Sequence, residues 1–271
     1  MFLMLVCADP HLQKPMYFFL GNLSFLDIGN SSVTLSTLLH RLMTGETLIS
    51  FPVCMVQLYF FLSFTITEFF LLTAMAYDRY VAICNPLRYM LIMNSRACVL
   101  LASVSWLLGF LDSVPAIVLI SQLSFCENNE INHFFCDIAA LMKLSCSTMH
   151  AIEIVVFTDG VFLSMFPFLL TLISYGYIIS TILKINSAKG RRKAFSTCSS
   201  HLTIVFLFYG TLISVYMRPA SKYSPEQDKV FSLLYTDLIP MLNPIIYSLR
   251  NEEVKKALMK VVCKFNCIIT N

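Results

Sequence analysis

Charge and glycine are scarce in this chain. Only 13% of its 271 residues are charged and eight are glycine, whereas 57% are apolar and the mean hydropathy is +0.73. This composition is too apolar for a soluble domain of the ordinary kind, so it indicates that a membrane is the solvent. The eight glycines are spread along the sequence, which excludes a glycine-rich nucleotide-binding loop and a fibrous repeat.

Sequence signals of catalysis and of β-structure are also absent. The sequence contains no Ser/His/Asp set in a plausible frame, no metal-ligand spacing and no phosphate loop, and it shows neither strand alternation nor an internal repeat. We therefore expect a protein that is not an enzyme, that has no cofactor and that does not bind nucleic acid.

Long apolar stretches are abundant. Six of them are long enough to cross about 30 Å of hydrocarbon, for which a helix needs roughly 20 residues. They cover residues 17–40, 52–84, 97–120, 152–183, 197–217 and 230–249, and a long loop follows the third. The second and fourth exceed the length of a span, so we expect them to tilt or to project beyond the bilayer. The sequence predicts an all-α membrane protein that is a single domain, residues 1–271.

Lysine and arginine lie mostly on one side of these predicted spans. Of the 19 Lys and Arg residues, most fall in one alternating set of loops, as Arg88 and Lys256 do, whereas the opposite loops hold few, such as Lys143 and Lys222. By the positive-inside rule, the first set of loops and the C-terminus are cytoplasmic. We expect a multi-pass protein of the plasma membrane, with residues 251–271 forming a cytoplasmic amphipathic helix and tail that lie against anionic lipid.

The first eight residues form an apolar run that is too short to cross a membrane. Six spans with a cytoplasmic C-terminus would put the N-terminus on the same side, so we interpret residues 1–8 as the remnant of a first helix. A cleavable signal peptide is the alternative interpretation, but no basic region precedes the apolar residues and no spacing for a cleavage site is present.

Four of the ten cysteines, Cys54, Cys126, Cys136 and Cys146, fall on the predicted outer side, where disulfide bonds persist. An even number of cysteines fits two bridges. Four cysteines allow three pairings, and the sequence alone does not choose among them.

Four motifs stand in order at the predicted helix ends: PMYFFLGNLSFLD (15–27), MAYDRYVAIC (75–84), KAFSTCSSHL (193–202) and PMLNPIIYSLRN (240–251). With SYGYI (174–178) and HFFCD (133–137), they resemble the signature set of vertebrate odorant receptors of the tetrapod-type subgroup, within the rhodopsin-like G-protein-coupled receptors. The resemblance covers essentially the whole chain. It implies a seven-transmembrane helix bundle, here with most of the first helix missing and six full spans. The sequence departs from the family at 33–42, where a Pro and a Lys are common.

A signalling switch follows from the resemblance. Asp78, Arg79 and Tyr80 end a long apolar stretch, and an Arg beside an Asp holds a charge-assisted bond in one state and releases it in another. An interfacial anchor is the alternative reading of this trio. In the family, the Arg helps to hold the inactive state and then meets the G protein. Asn243, Pro244 and Tyr247 are implied to belong to the same switch, since Pro removes a backbone donor and lets a helix bend.

Two carboxylic acids, Asp27 and Glu68, lie deep in apolar stretches, where ionisable groups are costly and mark function. In related receptors these positions face each other and hold a sodium ion, an allosteric ligand that stabilises the inactive state. A protonated pair that only fixes the packing is the alternative. A cation or proton transporter would use the same acids as its path, but inverted repeats and interrupted spans in matching halves are not found in the sequence.

The resemblance also implies the disulfide pairs and the ligand site. It pairs Cys54 with Cys136 and Cys126 with Cys146, which would pin the long loop over the ligand pocket. The pocket for a small volatile odorant is implied to be mostly apolar, with few polar groups. The positions implied to face it are Phe61, Leu62, Thr65, Asp159, Leu163, Ile213 and Tyr216, with Tyr209 beneath as the residue that senses occupancy. Because Asp159 places a charge inside a span, we hypothesise an amine or hydroxyl-bearing ligand.

The function that these observations imply is that of an odorant receptor. Ligand binding would shift a two-state equilibrium and open the cytoplasmic face around Arg79, so that a heterotrimeric G protein of the stimulatory, olfactory type exchanges nucleotide and cyclic AMP rises. The alternative is a truncated or pseudogene-derived product that does not signal, because a bundle without one helix lacks the packing that the helix provides.

Overall fold

The structure is a computed structural model, and it describes residues 14–45, 49–125, 135–146, 150–216 and 233–250. Over these ranges the chain is helical, apart from connecting turns and one isolated antiparallel bridge between Phe125 and Ser145. Residues 1–8 and 251–271, predicted to be a helix remnant and an amphipathic helix, lie outside the described residues, so both assignments stay predictions.

Within the described residues, each of the six predicted spans contains a helix. They are α1 (Pro15–Thr44), α2 (Phe51–Cys84), a 3-10 turn (Pro86–Arg88) with the short α3 (Tyr89–Ile92), α4 (Ser95–Ser121), α5 (Ile138–Leu144), α6 (His150–Leu183), α7 (Ala188–Tyr216) and α8 (Ile239–Arg250), which a π-helical turn (Leu234–Leu238) precedes. Four of these, α2, α4, α6 and most of α7, are long and apolar enough to cross a membrane. The chain is thus a multi-pass helical protein, as predicted.

Two features of the fold differ from the sequence prediction, the start of α7 and the presence of α5. α7 begins at Ala188, whereas the apolar stretch begins at 197, so the basic run at 189–193 is part of a helix and not of a loop. Hydropathy marks only the part of a helix that faces hydrocarbon, and Lys and Arg are good helix formers that let the helix continue into water. The long loop also contains the short helix α5, which the sequence analysis did not predict.

α2 is the central helix of the bundle. It contacts α1, α4, α6 and α7, and Leu58, Leu71 and Leu72 on it have no exposed surface. α6, by contrast, leaves large side chains such as Phe157 and Phe162 exposed, as expected for a helix that faces lipid. A polar side chain on α2 therefore lies among the other helices, and this position makes α2 the support for most candidate functional groups.

The contact between α2 and α4 depends on a glycine. A Cβ atom added to Gly109 of α4 would lie 2.5 Å from the Ser63 backbone oxygen and closer still to the Thr67 hydroxyl. Next to it, the hydroxyls of Ser63 and Ser113 are hydrogen-bonded at 2.7 Å. Small residues and short polar side chains let helices approach closely where no hydrophobic effect drives them together.

Candidate functional site

The C-terminal end of α2 carries a buried ion pair. Asp78 is fully buried, and Arg79, whose side chain is 15% exposed, donates to its Oδ2 atom from Nε at 3.0 Å and also from Nη2. The Tyr89 hydroxyl donates to the other carboxylate oxygen, Oδ1, at 2.8 Å. Burial, and then the charge of Asp78, raise the pKa of Tyr89, so the phenol stays a donor. Both oxygens of the Asp78 carboxylate thus accept hydrogen bonds.

Tyr89 is a member of this cluster that the sequence analysis missed. It lies in the connection after α2, where the 3-10 turn Pro86–Arg88 folds the chain back and α3 begins at Tyr89. Because a tyrosine in a short connection is common, no pattern in the sequence marks it as a partner of Asp78. The contact depends on the direction of the turn.

The same end of α2 packs against α6 and α7. The Tyr80 ring lies edge-on to Tyr177 of α6, with centroids 6.0 Å apart. Tyr175 of α6 and His201 of α7 are stacked, and the Tyr175 hydroxyl is 2.7 Å from the His201 Nδ1 atom. Both residues are buried, and both belong to motifs that the sequence analysis used only for recognition. The three helices are therefore joined at the end where Arg79 lies.

A second polar cluster joins α1, α2 and α8. The Asn243 amide donates to the Asp27 carboxylate, at 3.1 Å to Oδ1 and 3.4 Å to Oδ2, across 216 residues of sequence. Glu68 lies close enough to Asp27 to interact with it electrostatically. The structure thus places Asn243 on Asp27, with Glu68 nearby, a contact that the sequence analysis did not predict for Asn243. The side chains of Pro244 and Tyr247 lie outside the described residues.

Two oxygens of this cluster, and a third on α1, lack a hydrogen-bond donor. Glu68 Oε1, Asn243 Oδ1 and Asn30 Oδ1 are buried and have no partner among the described residues. Leaving such atoms unpaired costs free energy, and oxygens of this kind are the ligands that hard cations prefer. Over the described ranges no three His, Cys, Asp or Glu side chains form a metal-binding group. A cation here would therefore rely on two carboxylates and on amide oxygens.

The N-terminal end of α2 is tied to the long loop. A disulfide bond joins Cys54 to Cys136, which are 82 residues apart. Cys146 is also disulfide-bonded, but Cys126, its expected partner, lies outside the described residues. Next to the first bridge, the ring of Phe135 packs on that of Phe61 with centroids 5.2 Å apart. The loop thus covers this end of α2.

Four of the candidate pocket residues lie on α2 and α7. Phe61 is buried, while Leu62 and Thr65 are half-buried on α2. Tyr209 of α7 is buried between Phe69 of α2 and Phe168 of α6, at centroid distances of 5.2 and 4.5 Å, and its hydroxyl has no partner among the described residues. Helices α2, α6 and α7 therefore meet at Tyr209.

Ile213, which was expected in the pocket, is 37% exposed, and the side chain of Tyr216 lies outside the described residues. Both positions in the pocket stay predictions.

The two candidates on α6 lie at an irregular part of the helix. Asp159 directly precedes a π-helical turn, Gly160–Met165, which contains Leu163 and contacts α2. The segment that ends at Asp159 contacts α4 instead, where Asp112 is close enough to act on Asp159 electrostatically. The sequence analysis missed Asp112, although an acid inside an apolar stretch is a signal that it could have used. π-helical turns are frequent at functional sites.

Comparisons with known proteins identify the relatives of this chain. A family profile described as Olfactory receptor matches residues 1–265. Olfactory receptor 1468 of Rattus norvegicus is 49% identical over 262 residues, which are 97% of this chain and 83% of that protein. Olfactory receptor 1E16 of Mus musculus is 50% identical over 97% of this chain and 83% of its own length. Olfactory receptor 1J4 of Homo sapiens is 49% identical over 96% of this chain and 83% of its own length.

Proposed function

Since the chain belongs to the olfactory receptor family, we propose that it binds small volatile odorants within its helix bundle and activates a heterotrimeric G protein of the stimulatory type, so that cyclic AMP rises. The observation that carries this proposal is that α2 bears a candidate ligand face at one end and the Asp78–Arg79 pair at the other. The family consists of receptors and not of enzymes.

The proposed ligand site lies where aromatic rings of α2, α6 and α7 meet. Tyr209 contacts α2 and α6 at once, so a ligand that displaces its ring alters the packing of α7 against both helices. Its hydroxyl is available as a hydrogen-bonding group within a mostly apolar lining. Phe61, Leu62 and Thr65 extend this lining toward the loop, and Leu163 extends it along α6.

The proposed switch lies at the opposite end of the same helices. Arg79 is bonded to Asp78 in the structure. In the proposed mechanism, this bond holds the inactive state. Separation of α7 from α6 at the Tyr175–His201 contact would release Arg79 toward the G protein. The positive-inside rule supports placing this end in the cytoplasm, because the basic start of α7 is located there and lies against anionic lipid.

Sodium is the proposed allosteric ligand of the second polar cluster. Asp27 and Glu68 would hold the ion with the oxygens of Asn30 and Asn243, which are buried and unpaired. The ion would neutralise the two acids and tie α8 to α1 and α2, which opposes the bending of α8 at Pro244.

The test is a cyclic AMP assay in cells that carry the chain, with surface expression measured in parallel. The probes are octanol, octanal, octanoic acid and octylamine, which share a chain length and differ in polar group. Arg79→Ala is expected to abolish the response at unchanged surface expression, whereas Arg88→Ala, at an exposed position in the 3-10 turn after α2, leaves it intact. A response that survives Arg79→Ala contradicts the proposed coupling.

Further measurements test the two alternatives from the sequence analysis, a product that does not signal and a transporter. The chain is also measured with a family-like first helix placed before it. If only this second form reaches the surface and signals, six spans do not suffice. A chain that signals in neither form favours a non-signalling product. Ion flux that depends on Glu68 in reconstituted membranes would favour the transporter instead.

A further inference from the structure

Gln57 is a buried polar side chain that neither proposed site uses. It lies on α2 three residues after Cys54 and is 5% exposed. Its amide nitrogen donates to the Val33 backbone oxygen and to the Thr37 hydroxyl of α1, both at 2.8 Å. Its amide oxygen accepts the backbone N–H of Cys136 at 3.0 Å. One side chain thus connects three parts of the chain.

The chemistry of this position is specific for glutamine. The two α1 partners accept hydrogen bonds and the Cys136 N–H donates one, so the side chain must offer donors on one side and an acceptor on the other. An amide has two N–H donors and a carbonyl acceptor, whereas a carboxylate has acceptors only and an alkyl group has neither. The pattern of partners also fixes which way the amide points.

The hydrogen bond to Cys136 complements the disulfide bond at the same residue. The Cys54–Cys136 bridge fixes the distance of the loop from α2, but rotation about its single bonds leaves the loop backbone free to turn. A second attachment, from Gln57 to the Cys136 backbone, removes this rotation. Phe135 is the next residue, and its ring, 2% exposed, packs on the Phe61 ring. The direction of Phe135 therefore depends on both attachments.

We propose that Gln57 is a positioning residue of the ligand site, which holds the Cys136 backbone so that Phe135 covers Phe61 and closes the outer end of the site. The inference rests on the proposed odorant-binding function for its effect on ligands. The claim that Gln57 orders the loop at Cys136 depends only on the three hydrogen bonds. Gln57 does not itself need to touch the odorant.

The test compares two variants of Gln57 with a matched control. Gln57→Met retains the helix packing, because Met is an unbranched side chain of similar volume. The same change removes all three hydrogen bonds. Gln57→Glu keeps an acceptor for the Cys136 N–H and loses the donors to α1. Gln122→Met makes the same change at the exposed end of α4.

Hydrogen–deuterium exchange of the purified receptor measures the loop directly. In Gln57→Met, segment 135–146 is expected to exchange at least roughly tenfold faster, because the Cys136 amide loses its acceptor, while α4 is unchanged. Gln57→Glu and Gln122→Met are expected to resemble the parent chain in this segment. Equal exchange of the segment in the parent and in Gln57→Met overturns the proposal.

Concentration–response curves for the four octyl probes measure the effect on ligands. Gln57→Met is expected to raise the half-maximal concentration roughly tenfold, with the maximal cyclic AMP per surface receptor unchanged, since Phe135 no longer covers the site. Gln57→Glu, which keeps the acceptor for the Cys136 N–H, is expected to raise the half-maximal concentration less than Gln57→Met does. Phe135→Leu is expected to add no further shift to Gln57→Met, because both changes remove the same contact.

The outcomes separate this inference from the proposed function. A lower maximum with unchanged half-maximal concentrations in Gln57→Met overturns the role in ligand binding and leaves a structural residue. If the increases in half-maximal concentration of Gln57→Met and Phe135→Leu add in the double variant, Gln57 does not act through Phe135. If the parent chain answers none of the probes, the proposed function fails, and the exchange rates alone decide whether Gln57 holds the loop.

Discussion

A single hydroxyl, that of Tyr89, completes the partners of Asp78. Arg79 engages one oxygen of this buried carboxylate, and Tyr89 engages the other. A buried carboxylate that lacks a donor is costly, so each donor stabilises the state in which Asp78 is held in place. If that state is the inactive one, Tyr89 restrains basal signalling.

The Tyr89→Phe variant tests this restraint. It keeps the ring and removes the donor, and we expect basal cyclic AMP per surface receptor to rise roughly tenfold or more, since a hydrogen bond to a charged group contributes about 1.5–3 kcal/mol. Tyr177→Phe, at an exposed position of α6, is the control and should change nothing. Unchanged basal signalling in Tyr89→Phe would show that the hydrogen bond from Tyr89 to Asp78 does not restrain the switch.

Asp27 offers a second test at the scale of one residue. Asp27→Asn keeps an oxygen that accepts from Asn243 but removes the negative charge. We expect the odorant response in membranes of the parent chain to need roughly fivefold more ligand in sodium chloride than in choline chloride, and this difference to vanish in the variant. Asp112→Asn removes an acid from α4 as a control. Sodium dependence that persists in Asp27→Asn would exclude this cluster as the ion site.

Asp159 is the residue that we expect to select the chemical class of the ligand. It lies half-buried beside the π-helical turn of α6, and a carboxylate there favours a cationic or hydrogen-bonding partner. We expect Asp159→Asn to weaken the response to octylamine by roughly tenfold relative to octanal, because a charge-assisted hydrogen bond is lost. Glu153→Gln, at an exposed position on the same helix, should keep the parent ranking. An unchanged ranking in Asp159→Asn would refute the amine hypothesis.

At the scale of helices, the contact between α2 and α4 rests on the missing side chain of Gly109. Gly109→Ala places a Cβ against the Ser63 backbone oxygen, which belongs to a helix and cannot yield cheaply. We expect a loss of about 1–3 kcal/mol in the free energy of unfolding, as for overpacked cores, seen as a lower unfolding midpoint in detergent. Gly21→Ala, where a Cβ meets nothing within 4 Å, should match or exceed the parent. Equal midpoints for the two variants would contradict the close contact.

α2 is also the element that connects the proposed sites. Over its 34 residues it carries the disulfide and Gln57 near its start, Glu68 in its middle and Asp78 near its end. A helix of this length is a rigid connection, since its backbone hydrogen bonds lie within the element. Movement between the sites is therefore expected in the helices that pack on α2, above all α7 through Tyr209 and His201.

For the whole molecule, the membrane explains both the composition and the distribution of polar groups. Phe162 and Phe206 face outward, as in a bundle whose solvent is lipid, while Asp27, Glu68 and Asp78 are buried inside it. Acids in such a bundle are placed against other polar groups because lipid offers no partner. Asp78 is therefore paired with Arg79 and Tyr89, and Asp27 with Asn243.

The sequence by itself determined the membrane class, the approximate positions of the long helices and the family, because each depends on local information. Apolar runs define helices that bury their own backbone hydrogen bonds, and motifs such as MAYDRYVAIC are contiguous in the chain. The pairing of Cys54 with Cys136 was implied by resemblance alone, since spacing leaves three pairings open. Asp27 and Glu68 were marked by their charge, which is unusual within an apolar stretch.

Only the tertiary structure decided the partners of these groups. Gln57 joins Cys136 from 79 residues away, and Asn243 reaches Asp27 across 216. Such contacts depend on how helices cross and which way each side chain points, and neither is encoded in a local pattern. The start of α7 at Ala188 is also a tertiary and solvent effect, because hydropathy marks where lipid is and not where a helix ends.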